Sequence, residues 1–188
     1  MRYRINVNLT EDDYFEFNKF VQFYASAGKK NFTVARITIS LLPVLVVFLG
    51  GISSGFNTEL LAEIILMIPL SVLVFFIFKP LMWFVTKLQI KSMMKKGPLY
   101  SSASCIEFYD EHLIEYSSQK QTQAAYSTVQ SVFIVNSQIA YIFENAVSAI
   151  IVPASAFPSA SEWNGFVEFL SEKVGNVTAV YTKNKIKR

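Results

Sequence analysis

The chain has 188 residues, of which 52% are hydrophobic and 16% are charged, and its formal net charge is +3. This balance is typical of a small membrane protein. Cys105 is the only cysteine and His112 the only histidine, which excludes an intrachain disulfide, a cysteine-based zinc cluster and a multi-histidine metal site.

The first nine residues have the pattern of a half-buried strand. Apolar side chains alternate with polar ones at Tyr3, Ile5, Val7 and Leu9. An isolated strand leaves its backbone groups unpaired, and the next element reads as a helix. We therefore expect this strand to join the sheet that the C-terminal half of the chain predicts.

Residues 10–28 predict an amphipathic helix. Thr10 and Asp13 have capping-box spacing, and Gly28 is a plausible stop. The apolar face carries Phe17, Phe20, Val21 and Tyr24. This face either packs on the C-terminal domain or lies in a membrane interface. Packing is favoured because an anionic leaflet would repel the acidic residues Glu11, Asp12, Asp13 and Glu16.

Two apolar runs, Ile37–Ile52 and Leu60–Phe78, predict a transmembrane hairpin over residues 33–86, with spans of about 34–52 and 60–78. The alternative is a helical hairpin buried in a soluble protein. It is disfavoured because both runs are apolar all round, where a surface helix shows a polar face.

The basic residues that flank the hairpin predict its orientation. Lys29, Lys30 and Arg36 precede it, and Lys79, Lys87, Lys91, Lys95 and Lys96 follow the second run. The connecting loop has one acid and no positive charge, so both termini are expected to be cytoplasmic. Glu63 and Lys79 lie near the ends of the second span, where they reach the headgroups, which argues against an ion pathway.

Residues 99–176 predict an antiparallel meander followed by a helix. The expected strands are residues 104–108, Leu113–Ser117, Gln121–Tyr126, Val129–Val135, Gln138–Phe143 and Val147–Val152, with turns at Asp110–His112, Ser118–Lys120, Asn136–Ser137 and Asn145–Ala146. Ser159 is the expected N-cap of the helix and Gly175 its stop. The helix has an apolar stripe formed by Trp163, Phe166, Val167, Leu170 and Val174.

These elements together predict a membrane α+β protein. A two-helix transmembrane hairpin carries a cytoplasmic antiparallel sheet of the pleckstrin-homology (PH)-like kind, capped by the C-terminal helix. A basic tail is expected over residues 177–188.

The layout resembles that of the bacterial YcxB-like proteins. The resemblance lies in the strand and short helix, the two-span hairpin, and a meander that contains Tyr126–Val132 and ends in Ile150–Phe157. It implies a bacterial cell-membrane protein with a PH-like domain on the inner face. It brings no catalytic residues, and strand termination and core closure suffice to explain Pro153 and Phe157.

The sequence offers no catalytic constellation, so we predict neither an enzyme nor a cofactor. Cys105 reads as a small buried hydrophobe in a strand. Asp110 and Glu111 beside His112 have the composition of a metal or acid–base group, but a solvated turn explains them more simply.

The remaining candidates are basic residues: Lys91, Lys95, Lys96, Lys183, Lys185, Lys187 and Arg188. They read either as a topology signal with a solvated terminus or as contacts to anionic lipid headgroups. Nucleic acid is not expected, because the aromatic residues do not alternate with the basic ones. The expected partners are the bilayer and either an unknown protein or a second copy of the chain. A lipid sensor is the alternative function, and a small transporter or accessory subunit is a distant one.

Overall fold

The computed structural model describes residues 1–55, 57–95, 103–117, 121–145 and 148–182. The elements are β1 (Tyr3–Asn8), α1 (Glu11–Phe23), α2 (Ser26–Ser54), α3 (Thr58–Lys95), β2 (Ala103–Phe108), β3 (His112–Ser117), β4 (Gln121–Ala125), β5 (Ser131–Val135), β6 (Ile139–Phe143), β7 (Ala149–Pro153), α4 (Ala160–Lys173) and β8 (Val177–Val180). The chain divides into a sheet unit, formed by Met1–Phe17 and the chain from Met93 onward, and a helical unit, Asn18–Ser92. The architecture is a mixture of helices and mainly antiparallel sheet.

The first sheet, sheet A, has the strand order β1-β2-β3-β4, and every pair in it is antiparallel. Tyr3 lies opposite Phe108, and Asn8 lies opposite Ala103. The N-terminal strand thus finds its partner beyond the helical hairpin. This is the pairing that the unpartnered strand pattern predicted.

The second sheet, sheet B, has the order β7-β6-β5-β8. The meander therefore does not continue as one sheet, because a 3-10 turn at Tyr126–Thr128 separates β4 from β5. Between β5 and β6, Asn136 and Ser137 have φ values of 52° and 56°. Two successive residues with positive φ form the turn whose twist matches that of a hairpin. The turn predicted around Asn145–Ala146 lies partly outside the described residues.

The expected start of the basic tail at residue 177 was wrong. Residues Val177–Val180 form β8, which lies parallel to β5, with Val132 opposite Val177. A short strand with a parallel partner far away in the sequence has no local pairing signal, because such pairs need a long crossover connection. The basic residues 183–188 lie outside the described part of the chain.

Helix α4 closes the core of the sheet unit. The Ser159 hydroxyl accepts a hydrogen bond from the Glu162 amide at 3.2 Å, which confirms the predicted cap. Phe166 is fully buried, and its ring centroid lies 5.4 Å from that of Tyr3 and 4.9 Å from that of Phe108. The helix therefore packs against β1 and β2 and joins both parts of this unit.

The first turn of α1 has the predicted capping box. The Asp13 carboxylate accepts from the Thr10 amide at 2.9 Å, and the Asp13 amide donates to the Thr10 hydroxyl at 3.3 Å. The ring centroid of Phe17 lies 5.2 Å from that of Tyr141 and 6.0 Å from that of Phe143. Phe17, the first residue of the predicted aromatic face, therefore packs on the C-terminal domain.

The helical unit contains the long helices α2 and α3, which extend beyond the predicted spans. Gly28 does not end α1, as the sequence suggested, but lies in the first turn of α2. A Cβ at Gly28 would overlap the carbonyl oxygen of Val21, so α1 approaches α2 closely at this point. Likewise, α3 continues through Pro80 to Lys95, so Lys91 and Lys95 lie on this helix.

By length and composition alone, Ser26–Ile52 and Thr58–Lys95 are each sufficient to cross a membrane. Only 6% and 11% of their most apolar windows are buried within the protein. The two helices run antiparallel, since Phe32 contacts Phe78 and Arg36 contacts Phe75. They form a hairpin with an apolar outer surface.

Candidate functional site

The predicted headgroup residues are only partly described. Lys91 and Lys95 lie four residues apart in the last turns of α3, and both side chains are exposed. Five others lie outside the described residues: Lys96, Lys183, Lys185, Lys187 and Arg188. The structure therefore places two members of the predicted group on one helix and leaves the rest of the group as a prediction.

A basic site that the sequence analysis did not recognise as a unit lies between α2 and α3. The Nε atom of Arg36 donates a hydrogen bond to the carbonyl oxygen of Phe75 at 2.8 Å. The guanidinium carbon lies 3.6 Å from the centroid of the Phe75 ring. One backbone acceptor and one ring face thus hold the planar guanidinium in a fixed orientation. The hydroxyl of Ser40 donates to the Arg36 carbonyl at 2.6 Å.

Lys79 lies one helical turn beyond Phe75 in α3. Its Nζ atom lies 5.1 Å from the centroid of the Phe23 ring. Phe23 also contacts Phe32 and Trp83, with ring centroids at 4.9 Å and 6.2 Å. Aromatic rings therefore surround the end of the hairpin that lies away from its connecting loop, which we call the base of the hairpin. These rings contribute apolar area and ring faces for cations.

No carboxylate among the described residues balances these two cations. Among the described residues, Arg36 and Lys79 have the partners given above and form no ion pair. The helical unit contains two acids, Glu59 and Glu63, and both lie at the opposite end of the hairpin. Glu63 and Phe75 are about 18 Å apart along the axis of α3. The unit is therefore strongly polarised in charge along its length.

An apolar groove on the hairpin begins beside this basic site. It has a volume of about 550 Å³, and its wall includes the Phe75 ring that supports Arg36. The apolar lining comprises Ile37, Leu41, Val44, Ile68, Val72, Phe75 and Phe76. Ser40 and Ser71 lie at its floor and are 5% and 9% exposed. Small side chains at both positions leave the room that the groove occupies.

The sheet unit has a second charged cluster, at the start of β1. Arg2 Nε lies 2.9 Å from Asp110 Oδ1, and Lys173 Nζ lies 4.0 Å from the same oxygen. The hydrogen bond from Arg2 and its charge lower the pKa of Asp110. A cavity of about 390 Å³ adjoins this cluster. Because the cations already share a carboxylate, the cluster is best explained as a link between β1, the β2–β3 turn and α4.

The outer face of sheet A is largely open. We call it the open face of sheet A, and it carries Asn6, Asn8, Cys105, Tyr116 and Gln123. Four of these residues are exposed, and Cys105 is half-buried. A shallow cavity of about 460 Å³ on this face is lined by β1, β2 and β3.

Cys105 is half-buried and not the small buried hydrophobe that the sequence predicted. It lies on the outward side of β2, opposite Asn6 and Tyr116, and Arg4 Nε donates to its sulfur at 3.4 Å. Strand alternation assigns the inward positions to Ile106 and Phe108 instead.

The His112 ring stacks on Tyr109 with a centroid distance of 4.9 Å. Within the described ranges, no group of three or more His, Cys, Asp or Glu side chains is arranged to hold a metal ion.

The sequence contained only a partial signal for the Arg36 site. The positions of Arg36 and Lys79 at the edges of the apolar runs were visible, and they were interpreted as topology signals. Their aromatic and backbone partners depend on how α2 aligns with α3, which no local pattern specifies.

No protein-family model, curated protein or solved structure matches this chain. The YcxB-like resemblance stays a prediction.

Proposed function

We propose that this chain is a non-enzymatic integral membrane protein whose hairpin anchors a PH-like interaction module at the cytoplasmic face. The observation that carries the proposal is the sheet order, in which β1 and β2 are neighbours although the hairpin separates them in the chain. Both ends of the hairpin therefore lead back to the sheet unit.

The surface of the hairpin supports its insertion into a membrane. Val46, Leu66 and Phe76 are 66%, 70% and 67% exposed, and they belong to a much larger set of exposed apolar side chains on α2 and α3. A soluble monomer rarely exposes so large an apolar surface. A bilayer covers such a surface, and the hydrogen bonds of the helical backbone are satisfied internally.

The proposed orientation has both termini in the cytoplasm. Lys29 and Lys30 lie in the first turns of α2, and Lys79 and Lys87 lie in the second half of α3. Glu59 is in the first turn of α3, next to the hairpin connection. Positive residues favour the cytoplasmic side. The short connection around Gly55 is then outside.

The arrangement of the sheet unit supports the PH-like comparison. Two four-stranded sheets enclose one core, and the C-terminal helix α4 packs into it. In this comparison the hairpin is an insertion between the first two strands of the domain. The YcxB-like resemblance agrees with this proposal at the level of layout.

The open face of sheet A is the proposed docking surface for a protein partner or a second copy. The centre of sheet B is covered in the described structure, because all five residues of β6 are buried and Phe17 packs on its outer side. In contrast, Tyr116 on sheet A is 37% exposed among polar neighbours. An exposed tyrosine in a polar surround is a common anchor at interfaces.

Site-specific photocrosslinking in membranes tests this function. A photoreactive residue at Gln123 is expected to give one discrete adduct, either with the chain itself or with one partner. The matched control is Glu168, an exposed residue on α4, which is expected to give none. Equal crosslinking at both positions, or none at Gln123, would contradict the proposed docking face.

The exposed positions of Lys91 and Lys95 favour a second candidate function, an anionic-lipid sensor. Together with Lys96 and the basic tail, they would contact headgroups at about 1 kcal/mol per residue. In this case K91Q and K95Q lower the preference of the reconstituted protein for anionic lipid, and raising the salt concentration has the same effect.

A further inference from the structure

The base of the hairpin combines a fixed cation with an apolar groove. Arg36 uses Nε for the Phe75 carbonyl and its planar face for the Phe75 ring. Within the described part of the chain, its two terminal nitrogens remain as donors. Lys79 is held against Phe23 one helical turn away from Phe75. Both cations are therefore positioned by neighbouring groups, and neither forms an ion pair with a carboxylate among the described residues.

This arrangement is suited to an anion from outside the helical unit. Guanidinium groups bind phosphate oxygens through paired N–H donors, and an ammonium adds a second point charge. The groove of about 550 Å³ begins at the same Phe75 ring and extends along Ile37, Leu41, Ile68 and Val72. A ligand that fits both parts has a negatively charged phosphate and a long apolar chain.

We propose that Arg36 and Lys79 bind the phosphate of an anionic phospholipid, one acyl chain of which lies in the groove of the hairpin. This inference rests on the membrane insertion proposed above and adds a specific ligand class to it. The site differs from the candidate group at Lys91 and Lys95, because aromatic rings and a backbone carbonyl orient its cations. The bound lipid would neutralise the basic end of the hairpin.

Native mass spectrometry of the purified full chain in a neutral detergent tests the site. The probes are dioleoyl phosphatidylglycerol and dioleoyl phosphatidylcholine, which share acyl chains and differ in headgroup charge. The wild type is expected to bind phosphatidylglycerol more tightly. R36Q and K79Q are each expected to lower this preference about fivefold, the equivalent of one headgroup charge contact.

The matched control is K30Q, which removes the same charge from an exposed position near the start of α2. It is expected to leave the preference within about twofold of wild type. R36K retains the charge but loses the paired N–H donors, and it is expected to retain only part of the preference. I68W fills the groove and is expected to weaken the binding of both lipids, which separates the acyl-chain contact from the headgroup contact.

The proposal would be overturned if the wild type bound the two lipids with equal affinity, or if R36Q kept the preference for phosphatidylglycerol as K30Q does. It would also be overturned if inorganic phosphate competed fully with phosphatidylglycerol. Loss of preference only in K91Q and K95Q would favour the lipid sensor instead. Circular dichroism checks the helix content of R36Q. If R36Q does not fold, the lipid preference of K79Q tests the proposal instead.

Carbonate extraction of membranes separates this proposal from the one on which it rests. If the wild type stays in the membrane pellet but shows no headgroup preference, the lipid site is wrong and the anchor remains. If carbonate releases the wild type, the membrane anchor itself is wrong.

Discussion

Tyr3 lies directly opposite Phe108 in sheet A, and the rings of both residues contact Phe166 of α4. The first strand, the strand that follows the hairpin and the last helix therefore meet at one point of the core. A core built from both ends of the chain makes the short N-terminal segment a structural part of the sheet unit.

The inward residues of β1 are expected to be essential for the stability of the sheet unit. Ile5 is 3% exposed, and Ile5→Ala is expected to lower the free energy of unfolding by about 2–5 kcal/mol. Asn6→Ala on the exposed side of the same strand is the control and is expected to change it by less than about 0.5 kcal/mol. Urea denaturation of the full chain in micelles, followed by tryptophan fluorescence, measures both. Equal effects would contradict the role assigned to β1.

The N-cap of α4 gives a second prediction for the same unit. Ser159→Ala removes the acceptor for the Glu162 amide and is expected to cost about 1 kcal/mol. Ser161→Ala, at an exposed position inside the helix, is expected to be neutral or slightly stabilising. The same denaturation experiment compares the two variants, and a larger effect at Ser161 would argue against the cap.

Gly28 and Gly50 are expected to respond oppositely to substitution by alanine. A Cβ at Gly28 would overlap the Val21 carbonyl oxygen, whereas a Cβ at Gly50 would meet no neighbouring heavy atom within 4 Å. Gly28→Ala is therefore expected to separate α1 from α2 and lower the thermal stability. Gly50→Ala is expected to stabilise α2 by up to about 1 kcal/mol. Thermal unfolding followed by circular dichroism distinguishes them, and equal shifts would contradict the close approach.

Asp110 is expected to titrate below its ordinary value of 3.8, because Arg2 donates a hydrogen bond to it and adds a positive charge. Since the pKa in the folded protein is lower than in the unfolded protein, the pair stabilises the fold above the unfolded pKa. That stabilisation is lost as the pH falls through the folded pKa. Arg2→Gln is expected to raise the pKa of Asp110 measured by carboxyl NMR. Arg4→Gln, the control, is expected to leave it nearly unchanged.

Local patterns were sufficient for most elements of the fold. The alternation in β1, the caps at Thr10 and Ser159 and the hairpin turn at Asn136–Ser137 all act within a few residues, so the sequence reveals them. The unpaired strand β1 also predicted its own long-range partner, because a strand without neighbours must join another sheet.

The errors concern features that depend on distant contacts. Strand β8 forms because β5 provides a parallel edge, and the break between the two sheets depends on a single 3-10 turn. Cys105 faces outward because the register of β2 assigns the inward positions to its neighbours. The Arg36 site requires the alignment of two helices, which apolar runs alone do not specify.

The central claim is that the hairpin crosses a membrane and returns the chain to the same side. Cysteine labelling of intact expressing cells with a membrane-impermeant maleimide tests it most directly, in a Cys105→Ser background. We predict that Gly55→Cys is labelled in intact cells and that Gln123→Cys is labelled only after permeabilisation. Labelling of Gln123→Cys in intact cells, or protection of Gly55→Cys until the cells are opened, would contradict the account.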